Sequence, residues 1–209
     1  MENKKNNIDN IEYMLSAHTS AAEGSGIPSA VLIPITEYNG SLHLILTQRS
    51  LKMKRQPGDF CFPGGHGELN ETPAETAVRE TCEEIGVCGE NIKILGETDF
   101  IVTSYGAYIR PFVGYIDGIK PDEFKINPDE VEKIILIPLS FFINTTPRLS
   151  VVELEPKFPP DFPFHLIHGG KDYKWGKALM KEWFYDYEGN IIWGLTARII
   201  NNFKSIISI

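Results

Sequence analysis

Cysteine is scarce in this chain: Cys61, Cys82 and Cys88 are the three in 209 residues. An odd, sparse set without metal-ligand spacing argues against a disulfide framework and against a structural zinc site. A reducing cytoplasm is the simplest compartment for such a chain. Long apolar runs are missing as well. The opening Met-Glu-Asn-Lys-Lys-Asn-Asn has no apolar core of the kind a signal peptide carries. The longest apolar stretch, IIWGLTARIINNFKSIISI at the C-terminus, holds Arg198, Asn201, Asn202 and Lys204. Those residues predict an amphipathic docking helix, so no membrane span is expected. Positive charge is short too. Twenty basic residues face 28 acidic ones, a net charge of -8, which weighs against long DNA or RNA as a partner. An acidic protein can still hold a small anion where cations, from protein or metal, are concentrated at one site.

What the chain does have is enough apolar residue, 42% hydrophobic and 11% aromatic, to bury one good core. One domain over residues 28–209 is expected, preceded by a polar and partly helical extension over residues 1–27. Residues 1–10 read as loose, 11–20 as a short helix, and AAEGSGIP as a linker. Two apolar strand-like runs flank Asn39-Gly40, a strong hairpin signal. DFCFPGGHGELNE reads as a short strand and a glycine-rich loop. IKILGETDFIVT, AYIRPFVGYI and VEKIILIPL read as further strands. The proline-rich ELEPKFPPDFPF is either an irregular excursion or a two-strand insertion. A strand pair around EWFYDYEGNIIW leads into a final helix. No internal repeat is visible, and the mixture predicts an α/β protein with α/β/α layers around a mixed sheet.

The clearest helix runs from Pro73 to Ile85. Thr72 is a natural N-cap, Pro73 suits the first helical position, Glu75 completes a capping box, and Gly86 is a fitting stop. Ala74, Ala77, Val78, Thr81 and Ile85 share one side, which predicts packing on the sheet. Glu80, Glu83 and Glu84 are read as lying together on the opposite side. Bare like charges three and four apart destabilise a helix by a few tenths of a kcal/mol per pair. A hard divalent cation reverses that sign, because Mg2+ and Mn2+ favour clustered carboxylate oxygens. Arg79 stands four before Glu83 and can hold it, and Gly64-Gly65 upstream would let backbone approach a metal or phosphate closely.

These residues resemble the signature of the Nudix hydrolases: Gly, five residues, Glu, seven residues, Arg-Glu, an aliphatic residue, any residue, Glu-Glu, any residue, Gly, aliphatic. Here it runs Gly65, Glu71, Arg79, Glu80, Thr81, Glu83, Glu84, Gly86, Val87. Thr81, in an aliphatic position on the packing side, is the one departure. The resemblance implies a Nudix-type α/β/α sandwich. It also implies Mg2+ or Mn2+ held by Glu80 and Glu84, with Glu83 as a further ligand and the Gly64 carbonyl completing the site. Glu71 and Arg79 would brace loop against helix. A general base would come from the helix or from a loop carboxylate, Glu130 or Glu132.

A second, narrower resemblance covers residues 45–65, ILTQRSLKMKRQPGDFCFPGG, which is similar to the extra motif of the coenzyme A diphosphatase branch. Thr47, Arg49, Ser50, Gly58, Phe62, Pro63, Gly64 and Gly65 match it, whereas Gln56 stands where that branch has histidine. RPFVGYI, NPDEVEKIILIPLSFF and IWGLTARII resemble the same branch. What this implies is cleavage of coenzyme A or acyl-CoA to 4′-phosphopantetheine, or its acyl form, and 3′,5′-ADP. Another nucleoside diphosphate derivative such as ADP-ribose, or a ligand-binding regulator without catalysis, are the rival expectations. Arg49, Lys52, Lys54 and Arg55 form a basic cluster in an acidic chain, with Arg49, Lys54 and Arg55 the expected phosphate partners. Aromatic residues of the C-terminal half would stack an adenine, line a pantetheine channel, or fill the core. A homodimer is an open expectation.

Overall fold

The computed structural model describes residues 8–18, 28–104 and 106–208. Period-two alternation builds its main sheet. In β1 (Ser29–Tyr38), Ala30 and Leu32 point to one face and Ile33 and Ile35 to the other. The chain turns through Asn39 (φ 50°) and Gly40 (φ 74°), both left-handed as a two-residue hairpin turn requires. It returns antiparallel as β2 (Ser41–Arg49), where Ile45 faces one way and Leu44 and Leu46 the other. Six more strands complete the sheet: β3 (Phe60–Cys61), β4 (Gly64–His66), β5 (Ile92–Glu97), β6 (Ile101–Val102), β7 (Tyr108–Ile116) and β8 (Val131–Pro138). β7 runs parallel to β1 over Ser29–Thr36 while the other pairs are antiparallel, so the sheet is mixed.

The sheet splays between β1 and β2, and the split positions the site. β8 follows β2 along one edge from His43 to Arg49. On the other edge β2 pairs first with β1, Leu44 opposite Ile35, and later with β3, Thr47 opposite Cys61. The start of β1 pairs with β4 instead, Ala30 opposite Gly65. Residues 60–66 therefore cross the gap, with the Leu32 amide donating to the Pro63 carbonyl at 2.9 Å.

Each face of the sheet is covered. α2 (Pro73–Ile85) brings Ala77 and Ile85 onto Ala30, Leu32, Ile45, Phe112 and Ile116. On the opposite face lie Phe142 of α3 (Leu139–Asn144) and Ala197, Ile200 and Phe203 of α4 (Gly194–Ile207). They pack on Ile33, Ile35, Leu44 and Leu46, together with Tyr185 and Ile192. The last two belong to a separate antiparallel sheet of β9 (Arg148–Leu154), β10 (Ala178–Tyr187) and β11 (Asn190–Trp193). The proline-rich segment between β9 and β10 is irregular. It is held by a cluster of Phe158, Phe162, Phe164 and Trp175, with ring centroids 4.7–5.9 Å apart.

Three expectations change. The N-terminal helix α1 is Ile8–Ser16, earlier than the 11–20 expected; residues 1–7 and the linker over 21–27 lie outside the described residues. Cys82 and Cys88 are joined in a disulfide, with Cα atoms 4.5 Å apart, against the expectation from cysteine content. The reason is local: Gly86 (φ 75°) caps α2 in the left-handed conformation and reverses the chain, bringing Cys88 back to the last helical turn. Cysteine content therefore no longer argues for a reducing compartment. Glu84 does not share an outward face with Glu83; it is 8% exposed. It lies seven residues, or two turns, beyond the buried Ala77, so it points the same way. Among the described residues no helix is long and apolar enough to cross a membrane.

Candidate metal and diphosphate site

The capping box at Thr72 fixes where α2 begins. The Glu75 amide donates to the Thr72 hydroxyl at 3.3 Å, and the Thr72 amide donates to the Glu75 carboxylate at 2.8 Å. One turn later Arg79 gathers the loop and the acidic residues. Its Nε and Nη2 donate to the two Glu71 oxygens at 2.9 and 3.1 Å. Nη1 donates to Glu80 at 2.9 Å and Glu83 at 3.1 Å, and Nη2 also reaches the His66 carbonyl at 3.1 Å. These five bonds use a guanidinium's full donor set. The Arg79 fork holds the Glu71 carboxyl down at about 2, helped by the Glu68 amide.

The two glycines of β4 meet the helix without side chains of their own. A Cβ at Gly65 would collide with the Glu80 carboxylate, and a Cβ at Gly64 with the Ala30 carbonyl and Val31. The Gly64 amide donates to Glu84 Oε1 at 3.2 Å. Burial pushes the Glu84 carboxyl up to about 8; the Gly64 amide opposes this, and Glu130 and Glu80 add to it. Burial also raises Glu80, against the pull of Arg79, with Glu83 and Glu130 adding to the rise. Glu130 thus stands in the field of both helix carboxylates. It sits in the turn before β8, tied down by its amide to the Asn127 carbonyl and by its own carbonyl to the Ser50 amide. Glu132 is exposed on β8.

Gly64 and Gly65 also line a cleft of about 750 Å³. Arg49, Gln56, Phe60, Cys61 and Phe62 share its wall with the glycines. Leu154 and Met180 come from the β9–β10 arm, and Trp193 and Leu195 from the junction of β11 and α4. Arg49 Nε donates to the Arg55 carbonyl at 3.3 Å, while the Lys54 and Arg55 side chains are exposed on the following turn, outside this wall. Lys52 pairs with Asp129 at 3.5 Å on the surface. The basic cluster read from the sequence is therefore divided, and Arg49 is its member in the cleft.

The profile of the NUDIX domain matches residues 26–148. The chain belongs to the Nudix family. Nudix hydrolase 3 of Caenorhabditis elegans is 36% identical over 133 residues, 62% of this chain and 55% of that protein. The peroxisomal coenzyme A diphosphatase NUDT7 of Mus musculus is 35% identical over 118 residues, 55% of this chain and 48% of that one. The chain thus spans about half the length of these curated relatives. Among solved structures, a C. elegans Ap4A hydrolase binary complex is 18% identical, covers 54% of this chain and 80% of that chain, and has a TM-score of 0.46.

The residues of this Nudix domain suit a hard divalent ion. Glu84 is a buried carboxylate facing a backbone amide with Glu80 and Glu130 nearby, an arrangement that an added cation would relieve. Among the described residues no three acidic, histidine or cysteine side chains are gathered tightly enough to hold an ion alone, and Glu83 is turned toward Arg79. Sequence reasoning missed the burial of Glu84, which a stricter helical projection would have found. It also missed the arm residues Leu154 and Met180, for which period-two strands carry no local signal.

Proposed function

We propose that this Nudix domain hydrolyses the diphosphate linkage of coenzyme A or an acyl-CoA. The products are 4′-phosphopantetheine, or its acyl form, and 3′,5′-ADP. The observation that carries the reading is the meeting of the Glu80 and Glu84 carboxylates with the Gly64–Gly65 backbone, at a cleft that also contains Arg49. Glu80, Glu84, Glu83 and the Gly64 carbonyl would hold Mg2+ or Mn2+, and the bound ion would supply charge neutralisation of the diphosphate and a lowered water pKa. The chain's own part is positioning. Arg79 fixes Glu80 and Glu83, and Arg49 pairs with phosphate oxygens. Glu130 accepts the proton of a water attacking one phosphorus in line, while the other phosphate departs. The likeness to a coenzyme A diphosphatase supports this choice of substrate.

The test is a comparison of coenzyme A, 3′-dephospho-CoA and ADP-ribose under matched Mg2+ and Mn2+. A charge-assisted hydrogen bond to the 3′-phosphate contributes about 1.5–3 kcal/mol, so coenzyme A is expected to be favoured about ten- to a hundredfold in kcat/KM. Arg49→Ala is expected to narrow that preference. An equal loss on both coenzyme A substrates would assign Arg49 to the diphosphate, and a better turnover of ADP-ribose would overturn the coenzyme A reading.

A further inference from the structure

Trp193 ends β11 one residue before α4, and it is 41% exposed although Ile192 beside it is fully buried. Its indole is fixed from two directions. Across the β10–β11 ladder Phe184 lies opposite it, and the two rings are parallel within 5° with centroids 5.9 Å apart. The indole Nε1 donates to Asp59 Oδ1 at 3.2 Å, which sets the rotation of the ring. Trp193 belongs to the wall of the 750 Å³ cleft that contains Arg49, Gln56 and the Gly64–Gly65 backbone. It also borders a second cavity of about 440 Å³, whose lining includes Phe184, Gln48 and Asn190. A large flat ring, held rigidly and left part-open on a cleft, is pre-organised to receive another flat ring, because no rotamer freedom remains to be lost on binding.

We propose that Trp193 is the stacking platform for the substrate's adenine, with Phe184 and Asp59 as positioning residues for the indole. The base would lie on the cleft side of the ring, the phosphates would run along the wall past Arg49 toward Gly64, and the pantetheine arm would extend on the side of Leu154 and Met180. The inference rests on the preceding reading for the identity of the base. It deepens that reading by placing the two halves of the substrate at opposite ends of one cleft.

The experiment measures binding rather than turnover, so it is decided even if the hydrolytic reading fails. The probes are 3′,5′-ADP, ribose 5-phosphate and 4′-phosphopantetheine, titrated into the full chain in Mg2+ by calorimetry and by tryptophan fluorescence. Base stacking predicts that 3′,5′-ADP quenches the wild-type emission, that Trp175→Phe keeps this quench, and that Trp193→Phe loses it. Trp193→Leu is expected to weaken 3′,5′-ADP about tenfold or more, and Trp193→Phe only a few-fold. Affinities for ribose 5-phosphate and 4′-phosphopantetheine are expected to stay level in both variants. Wild-type affinity for 3′,5′-ADP in Trp193→Leu overturns the platform, as does an equal loss for all three probes. Should Trp193→Leu fail to fold, wild-type protein and Trp193→Phe carry the test: the platform falls if 3′,5′-ADP leaves the wild-type emission unchanged or quenches both equally.

Discussion

Glu84 and Glu80 divide the demands on the acidic helix between them. Glu84 is the buried one, facing the Gly64 amide, whereas Glu80 is half-buried and shares Arg79 with Glu71 and Glu83. Without a cation, a buried carboxylate beside Glu80 and Glu130 is a cost that a neutral amide avoids. Glu84→Gln is therefore expected to leave the metal-free protein as stable as the wild type or to raise its Tm by about 2–5 °C. Its turnover, like that of Glu80→Gln, is expected to fall on the order of a thousandfold or more. Thermal melts in chelator and initial rates across a metal titration check both halves; near-normal rates in both variants would remove the helix from the chemistry. The glycines give a second check. Gly64→Ala places a methyl group against the Ala30 carbonyl and Val31, which are backbone and cannot step aside. It is expected to lose about 1–3 kcal/mol in denaturant unfolding. At this scale the residue types and spacing were legible in the sequence. The inward turn of Glu84 was not, because three adjacent carboxylates were read as one outward face.

Among the elements, α2 was legible from end to end, since its signals are local. Thr72, Pro73, Glu75 and Gly86 each act within one turn of themselves. Thr72→Ala is expected to cost about 1 kcal/mol, measured as a shift in the urea midpoint without a change in slope. The Asn39-Gly40 hairpin was legible for the same reason. The Cys82–Cys88 link was not, because its closure depends on the reversal at Gly86 and not on any spacing rule. Closing so short a loop constrains the unfolded chain by about 2 kcal/mol. Dithiothreitol is expected to lower the Tm of the wild type toward that of Cys88→Ser, whose own melt is unaffected by reductant. An identical melt with and without reductant in the wild type would show that the link adds no stability. The short α3 and the exposed strand β9 also escaped the sequence, the first too brief to show a period and the second with no buried face to alternate.

For the molecule as a whole, function follows from where the main sheet opens. β1 and β2 part, residues 60–66 cross between them, and α2 closes on that crossing from one face. The second sheet and α4 close from the other, bringing Met180, Trp193 and Leu195 to the same cleft. The α/β/α layering and the mixed sheet were expected from the order of apolar runs. The β10–β11 strand pair before the last helix was expected too; its pairing with β9 as a separate sheet was not, because that joins residues far apart in the chain, such as Trp183 and Leu149. The central claim is that this cleft cleaves a diphosphate in coenzyme A with the help of a divalent ion. The most direct measurement is mass spectrometry of products formed from coenzyme A in 18O-labelled water, with Mg2+ or Mn2+ and with chelator. The expected result is equal amounts of 4′-phosphopantetheine and 3′,5′-ADP, one 18O per cleavage in a single product, and no reaction in chelator. Release of the 3′-phosphate instead, undiminished cleavage in chelator, or an intact substrate would contradict it.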